Sequence, residues 1–165
     1  MKLAIDIGGT VISLVSGKLL PKNHYPYANY LDIPAVHGAW DCVPWLARRL
    51  GDDFVLTTSV PPWAIDAQAR IKAWLKHHRI TSDHDFQEKD VHFLLANERD
   101  ETDLCKRLAV THFVSNKAKS LPISDVEYLY LLDPSPEEHL AALRRCGDCV
   151  KVIPSWLDIF EVLGI

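Results

Sequence analysis

Six short apolar runs alternate along the chain with longer segments in which apolar residues recur at helical spacing. Buried strands typically contain about four to eight mostly apolar residues, whereas surface helices repeat their apolar positions every three or four residues. The short runs predict strands at 2–7, 54–58, 91–96, 111–114, 127–132 and 150–153. The helical spacing predicts helices at 39–50, 63–79, 100–108, 136–145 and 155–163.

Individual residues refine three of these helices. Proline lacks an amide hydrogen, so Pro44 predicts a late start or a kink in the first helix. Ser155 is placed to cap the amino terminus of the last helix. In the second helix, one buried side is predicted to consist of Ile65, Ala69, Ile71, Trp74 and Leu75.

The alternation of strands and helices predicts an α/β fold, a three-layer, Rossmann-like and mostly parallel sheet flanked by helices. Residues 1–165 suit one domain. Within it, residues 16–37 are rich in Pro and Tyr and form an irregular insert that is too short for a separate domain, so little or no cap is expected. Sites in such folds lie at the carboxyl ends of the strands. This rule selects 6–10, 57–59, 97–99 and 115–117.

Composition excludes several classes of function. The 165 residues carry a net charge of −4 with no basic block, so nothing indicates nucleic-acid binding. No apolar run approaches the roughly 20 residues that span a bilayer, and the amino-terminal segment reads as a buried strand rather than a signal peptide. The four cysteines are scattered, as is typical of reduced thiols, and a cytoplasmic location is expected.

The first predicted strand runs into the sequence IDIGGT, residues 5–10. This sequence is compatible with two unrelated kinds of active-site loop. Glycines after a buried strand let backbone amides approach a phosphate. The stretch resembles the opening DIGGT of sugar kinases of the ROK family and of actin-like ATPases. Those families need a second domain and further nucleotide motifs on a longer chain, which this sequence lacks.

Three segments together resemble the haloacid-dehalogenase (HAD) superfamily. They are IDIGGTVI at 5–12, FVLTTSVPPWAIDAQARIKAWLKHH at 54–78 and ERDETDLCKRLAVTHFVSNK at 98–117. The middle segment is similar to bacterial relatives of 5′(3′)-deoxyribonucleotidases. The likeness covers about residues 2–120, and the last third matches in pattern only.

The resemblance implies a set of catalytic roles. HAD phosphatases use one aspartate as nucleophile and a second, two residues later, as general acid and base. A strand-end hydroxyl holds the phosphate, a lysine offsets its charge, and aspartates bind Mg²⁺. By this likeness Asp6 takes the nucleophile position, and Thr10, Thr58 and Ser59 match hydroxyl positions.

Four other family positions are altered in this chain. Gly8 stands where the acid/base aspartate is expected, and Glu101 stands where the lysine is expected, which reverses the charge. Ser115 and Asn116 replace the metal-binding aspartates, leaving Asp6 as the one metal carboxylate of the motif, so Mg²⁺ binding is expected to be weak or absent. The resemblance therefore implies a phosphohydrolase site that has lost most of its parts.

Two later positions are candidates to replace missing groups. Lys117 or Lys119 is placed to supply a cation, and Asp133, at the end of the fifth predicted strand, is placed to supply a metal carboxylate. Ordinary surface lysines and a strand-end turn explain the same residues without a site. Trp63 follows Thr58 and Ser59 in a loop at the edge of the predicted site and is the tryptophan best placed to touch a ligand.

Three functions remain open at this level. The first is a pseudophosphatase that binds a small molecule or a protein partner without hydrolysis. The second is a divergent Mg²⁺-dependent phosphomonoesterase or nucleotidase that uses Asp6 as nucleophile. The third is an enzyme of non-phosphate chemistry on the same scaffold, since fold does not fix chemistry. The losses at Gly8, Glu101, Ser115 and Asn116 favour the first.

Overall fold

The computed structural model describes residues 1–24, 26–81, 86–123 and 126–165. Its six strands are β1 Leu3–Asp6, β2 Phe54–Thr58, β3 Val91–Phe93, β4 His112–Ser115, β5 Tyr128–Leu132 and β6 Val150–Ile153. Its α-helices are α1 Ala39–Leu50, α2 Ile65–His77, α3 Glu101–Leu108, α4 Pro136–Cys146 and α5 Ile159–Leu163. All six predicted strands and all five predicted helices are present, with boundaries shifted by a few residues.

The strands form one parallel sheet in the order β3-β2-β1-β4-β5-β6. From the central strand β1 the chain first moves outward through β2 and β3, and then returns to the other side of β1 through β4. The order of the strands therefore reverses between β1 and β4. In open α/β sheets a ligand crevice forms outside the carboxyl ends of the strands at such a reversal.

Alternate residues of the strands face two separate cores, as the pleat of a strand requires. Leu3 and Ile5 of β1 pack in a core with the buried faces of α1, α2 and α5. Ala4 of β1 packs in a second core with residues of α3 and α4, including Cys105 and Ala142. Helices therefore cover both faces of the sheet, which confirms the three-layer α/β prediction.

Three local predictions can be compared with the helices. α1 begins at Ala39 and continues through Pro44, so the predicted late start is wrong. In α2, Ile71, Trp74 and Leu75 are buried, but Ile65 is 73% exposed because, at about 100° per residue, it lies on the opposite side of the helix. Ala69 is exposed on the same side. The Ser155 hydroxyl accepts a hydrogen bond from the Leu157 amide, so Ser155 caps the short 3₁₀ helix Trp156–Asp158 that leads into α5 rather than α5 itself.

The described part of the chain between β1 and α1 is mostly irregular. It contains a short 3₁₀ helix at Tyr30–Asp32 and a tight turn in which Val15 and Lys18 pair. Among the described residues, no helix combines the length and the apolar character needed to cross a membrane.

Candidate functional site

Asp6 is the last residue of β1 and lies at the point where the strand order reverses. The residue is 5% exposed. The Ser115 hydroxyl, at the end of neighbouring β4, donates to Asp6 Oδ2 at 3.0 Å. The Gly8 amide approaches Oδ1 at 3.4 Å. Two adjacent parallel strands thus bring Asp6 and Ser115 together, although 109 residues separate them in sequence.

The environment of Asp6 disfavours its charge. Burial is the main cause, and the nearby Glu101 carboxylate adds to it, so that the pKa of Asp6 rises to about 7. Hydrogen bonds from Ser115, Ser120 and the Gly8 amide oppose this rise. Near neutral pH, therefore, a substantial share of the molecules carries Asp6 in its uncharged form.

Glu101 is the second buried carboxyl group of the site. It is the first residue of α3 and is 5% exposed. Burial raises its pKa; its own amide and the Ser59 hydroxyl hydrogen-bond to the carboxylate and oppose this, and Arg145 lowers the pKa more weakly. The position at which the HAD resemblance implies a lysine therefore holds an acid that faces the same region as Asp6.

Two adjoining cavities open above these carboxyl groups. One, of about 320 Å³, is lined by Trp63, Leu95 and Glu101, among others. The other, of about 240 Å³, is lined by Asp6, Gly8, Thr58 and Lys117, among others. Both include Ser59, Pro61, Lys119 and Ser120 in their walls. The two cavities therefore lie side by side, and together we call them the acidic crevice.

The predicted hydroxyl and lysine positions on β2 and after β4 lie in this crevice. Thr58 is 4% exposed and lines the cavity, and its hydroxyl makes no hydrogen bond to any described residue. Ser59 is exposed at the mouth, and its hydroxyl is directed to Glu101. Lys117 is half-buried in the wall of one cavity, and the exposed Lys119 borders both.

Thr10 and Asn116 lie below the crevice. Thr10 is fully buried, and its hydroxyl accepts a hydrogen bond from the Asn116 amide at 3.1 Å. The Trp156 indole donates to the Thr10 carbonyl at 2.9 Å. Neither Thr10 nor Asn116 lines either cavity of the crevice, so their positions give no support to direct ligand contact and indicate that they join the loops after β1 and β4.

Gly8 and Gly9 are adjacent but differ sharply in what they tolerate. Gly9 has a φ of +81°, and a Cβ atom there would lie 2.6 Å from Asn116 Nδ2, so position 9 requires glycine. A Cβ atom at Gly8 would meet only Leu19 and Leu14, at 3.6 Å or more, which is ordinary contact. The backbone would therefore accept an aspartate at position 8, and the missing acid is not a steric requirement of the loop.

The residues present fit a magnesium site poorly. Asp6 has Ser115 and Asn116 beyond it, and these are neutral donors, whereas Mg²⁺ is usually held by carboxylates. Asn116 Oδ1 is buried without a hydrogen-bond partner, but its side chain lies over Gly9 rather than in the crevice wall. Within the described residues, no three or more His, Cys, Asp or Glu side chains are grouped to hold a metal ion. Asp133, the candidate replacement, is exposed and lines neither cavity.

Ser120 is a site residue that the sequence analysis missed. It is 7% exposed, hydrogen-bonds to the Asp6 carboxyl group and lines both cavities. It lies five residues beyond the end of β4, in a 3₁₀ helix at Ala118–Ser120 that carries it back over the sheet. The available signal was its proximity to the strand end, but this turn of the chain has no distinctive sequence pattern.

Comparison with known proteins supports the fold. The sequence matches no protein-family profile. It also matches no curated protein. The structure is similar to the crystal structure of D,D-heptose 1.7-bisphosphate phosphatase from B. bronchiseptica in complex with magnesium and phosphate. The TM-score is 0.60 at 12% identity, over 99% of this chain and 98% of that one.

This protein has a HAD-like fold. At 12% identity the similarity establishes the architecture and leaves the chemistry to be argued from the residues of the crevice. The HAD-like fold was predicted from the first two-thirds of the sequence, and the structural likeness extends it over nearly the whole chain.

Proposed function

We propose that this HAD-fold protein is a pseudophosphatase, which binds a small molecule or a protein partner in the acidic crevice and does not hydrolyse phosphate monoesters at an appreciable rate. The observation that carries the proposal is the burial of Asp6 and Glu101 together, with no ion-paired cation for either among the described residues. A phosphate dianion entering this crevice would meet negative charge where phosphoryl transfer needs positive charge.

The groups that would carry out hydrolysis are also weakened or missing. An aspartate nucleophile must be ionised, and burial and Glu101 raise the pKa of Asp6 to about 7, so near neutral pH only part of the molecules carries the ionised nucleophile. The position that would donate a proton to the leaving group is Gly8, which has no side chain. Positioned acids and electrostatic stabilisers each contribute factors of about 10² to 10⁴, so losing several together removes nearly all catalysis.

The direct test is a phosphatase assay with Mg²⁺ on p-nitrophenyl phosphate and on deoxynucleoside monophosphates. We expect no turnover above that of an Asp6→Asn variant. We also expect Gly8→Asp, which the backbone accommodates, to add little, because the charge at Glu101 remains. Turnover by the wild type that Asp6→Asn abolishes would overturn the proposal.

The alternative is a divergent Mg²⁺-dependent phosphomonoesterase or nucleotidase with Asp6 as nucleophile. It is favoured by the placement of Asp6 at the carboxyl end of β1 and of the free Thr58 hydroxyl in the same cavity. Lys117 and Lys119 would have to supply the positive charge from the crevice wall. A Lys117→Met variant that loses measurable phosphatase activity, while the exposed Lys106→Met variant keeps it, would favour this alternative.

A further inference from the structure

In the part of the chain that the structure describes, the two buried carboxyl groups of the acidic crevice lack a positively charged partner. Asp6 and Glu101 are each 5% exposed, and among the described residues neither forms a salt bridge. We propose that the crevice takes an organic ammonium ligand, a protonated primary amine that carries an apolar or aromatic arm. This inference rests on the proposed function, in which the crevice binds a ligand rather than hydrolysing a phosphate ester.

The charge of the buried groups selects the sign of the ligand. Two carboxyl groups in a poorly hydrated site repel each other, and the cost falls when a cation enters between or beside them. Lys117, Lys119 and the exposed Arg99 reach the crevice from its wall and mouth, where water screens their charges more strongly than those of the buried carboxyls. An anionic ligand would gain little from these three side chains and would approach both buried acids.

The hydrogen-bonding groups of the crevice also suit an ammonium ion, in addition to the charge of its carboxyl groups. An ammonium has three N–H donors and no acceptor. The crevice offers acceptor oxygens at Asp6 and Thr58 in one cavity and at Glu101 in the adjoining one. Thr58 is an independent indication, because the residue is 4% exposed, lines the cavity and makes no side-chain hydrogen bond to a described residue, so its hydroxyl is available to a ligand.

The wall next to Glu101 is apolar, which is why we propose that the ligand carries an apolar or aromatic arm. Trp63 is 81% exposed and Leu95 is 46% exposed, and both line the cavity together with Pro61 and Pro62. A large exposed indole beside a polar pocket provides a surface for an apolar or aromatic group, and its face also attracts cations. The combined space of about 320 Å³ and about 240 Å³ suits a small ligand.

The test compares three probes of similar shape and different charge at pH 8 and low ionic strength. They are phenethylamine, 2-phenylethanol and phenyl phosphate, titrated into the full chain by calorimetry or by amide NMR. We expect phenethylamine to bind at least about tenfold more tightly than 2-phenylethanol, since hydrogen bonds to charged groups are worth more than neutral ones. Phenyl phosphate should bind most weakly.

Matched variants locate the effect. Glu101→Gln and Asp6→Asn should each weaken phenethylamine binding by about tenfold or more. Trp63→Ala should weaken it by about two- to fivefold. Glu137→Gln is the control, because it removes the same charge from the first turn of another helix, α4, at an exposed position outside the crevice. Its affinity should stay within about twofold of the wild type.

Three outcomes would overturn the inference: no binding of phenethylamine by the wild type, tighter binding of phenyl phosphate, or equal losses in Glu101→Gln and Glu137→Gln. Tight binding of phenyl phosphate without release of phenol would refute the ammonium ligand and leave the non-hydrolytic proposal standing. Release of phenol with Mg²⁺, abolished in Asp6→Asn, would instead refute the proposed function itself.

Discussion

Two glutamates three residues apart experience opposite electrostatic environments. Glu98 forms a two-pronged salt bridge with Arg107, whose Nε and Nη2 atoms donate to Oε1 at 2.5 Å and Oε2 at 3.3 Å. Burial pushes the pKa of Glu98 upward, but the hydrogen bonds from Arg107 and the Leu95 amide outweigh it and hold that pKa below its usual value. Glu101 has no such partner among the described residues, and its pKa is raised.

The difference shows where the chain supplies a cation and where it does not. Arg107 also donates to the Phe93 carbonyl at 3.2 Å, so it ties the loop around Glu98 to the end of β3. At Glu101 the charge is opposed by Asp100 and by the second buried acid, Asp6, and is favoured by the Ser59 hydroxyl and more weakly by Arg145, which forms no salt bridge with it. Glu98 therefore stabilises the structure, whereas Glu101 and Asp6 carry an unfavourable charge in the walls of the acidic crevice.

The largest change in the free energy of unfolding is expected when the buried charge of Asp6 is removed. We expect Asp6→Asn to raise the free energy of unfolding at pH 8 by on the order of 3 kcal/mol, because the folded state no longer holds a desolvated carboxylate. Chemical denaturation at pH 8 measures this. The exposed Asp52→Asn is the control, and its stability should change by less than about 0.5 kcal/mol. Equal stability of Asp6→Asn and wild type would show that the charge of Asp6 is compensated.

The same comparison has a defined pH dependence. In the folded protein the pKa of Asp6 is raised to about 7 from its usual 3.8. Its contribution to stability is fully present below about pH 3.8 and is lost as the pH rises through about 7. The stability advantage of Asp6→Asn should therefore be small near pH 4, increase up to about pH 7 and then level off. An advantage that shrinks with rising pH would contradict the assigned cause.

The next largest change in stability is expected when Glu98 loses its salt-bridge partner, as Glu101 already lacks one among the described residues. Arg107→Met removes the cation but keeps much of the side-chain length, and should destabilise the fold by about 1–3 kcal/mol. Adding Glu98→Gln to it should recover part of that loss, since the unpaired charge is then also removed. Thermal unfolding of the single and double variants tests this. An unchanged stability in Arg107→Met would mean that the salt bridge contributes nothing.

The smallest effect is expected at Glu101. Glu101→Gln should stabilise the protein by about 1 kcal/mol at pH 8, since removing the buried charge is partly offset by losing a favourable acid at a helix amino terminus. The comparison variant Glu137→Gln, exposed at the start of α4, should be neutral or slightly destabilising. Destabilisation of Glu101→Gln larger than that of Glu137→Gln would show that the fold requires the Glu101 carboxylate.

Periodicity and strand-end logic predicted the sheet and much of the crevice. The apolar runs of β1 and β4 identified strands, and parallel pairing then required Asp6 and Ser115 to meet at one edge. The site contacts that the sequence did not predict are made by loops that fold back over the sheet. The 3₁₀ helix that brings Ser120 to Asp6, and the packing of Asn116 over Gly9, arise from tertiary contacts that have no local pattern. The two neighbouring glycines of IDIGGT look alike in sequence, yet only Gly9 requires its missing side chain.

The hydrogen bond from Trp156 to the Thr10 carbonyl sets the time at which the site can be completed during synthesis. The two residues are 146 positions apart. Translation proceeds at about 5–20 residues per second, so Trp156 is added roughly 7–30 seconds after Thr10. Throughout that interval the loop that follows Asp6 lacks the indole beneath it. The crevice is therefore incomplete until the segment that carries Trp156 has been made and has packed beneath the loop that follows Asp6.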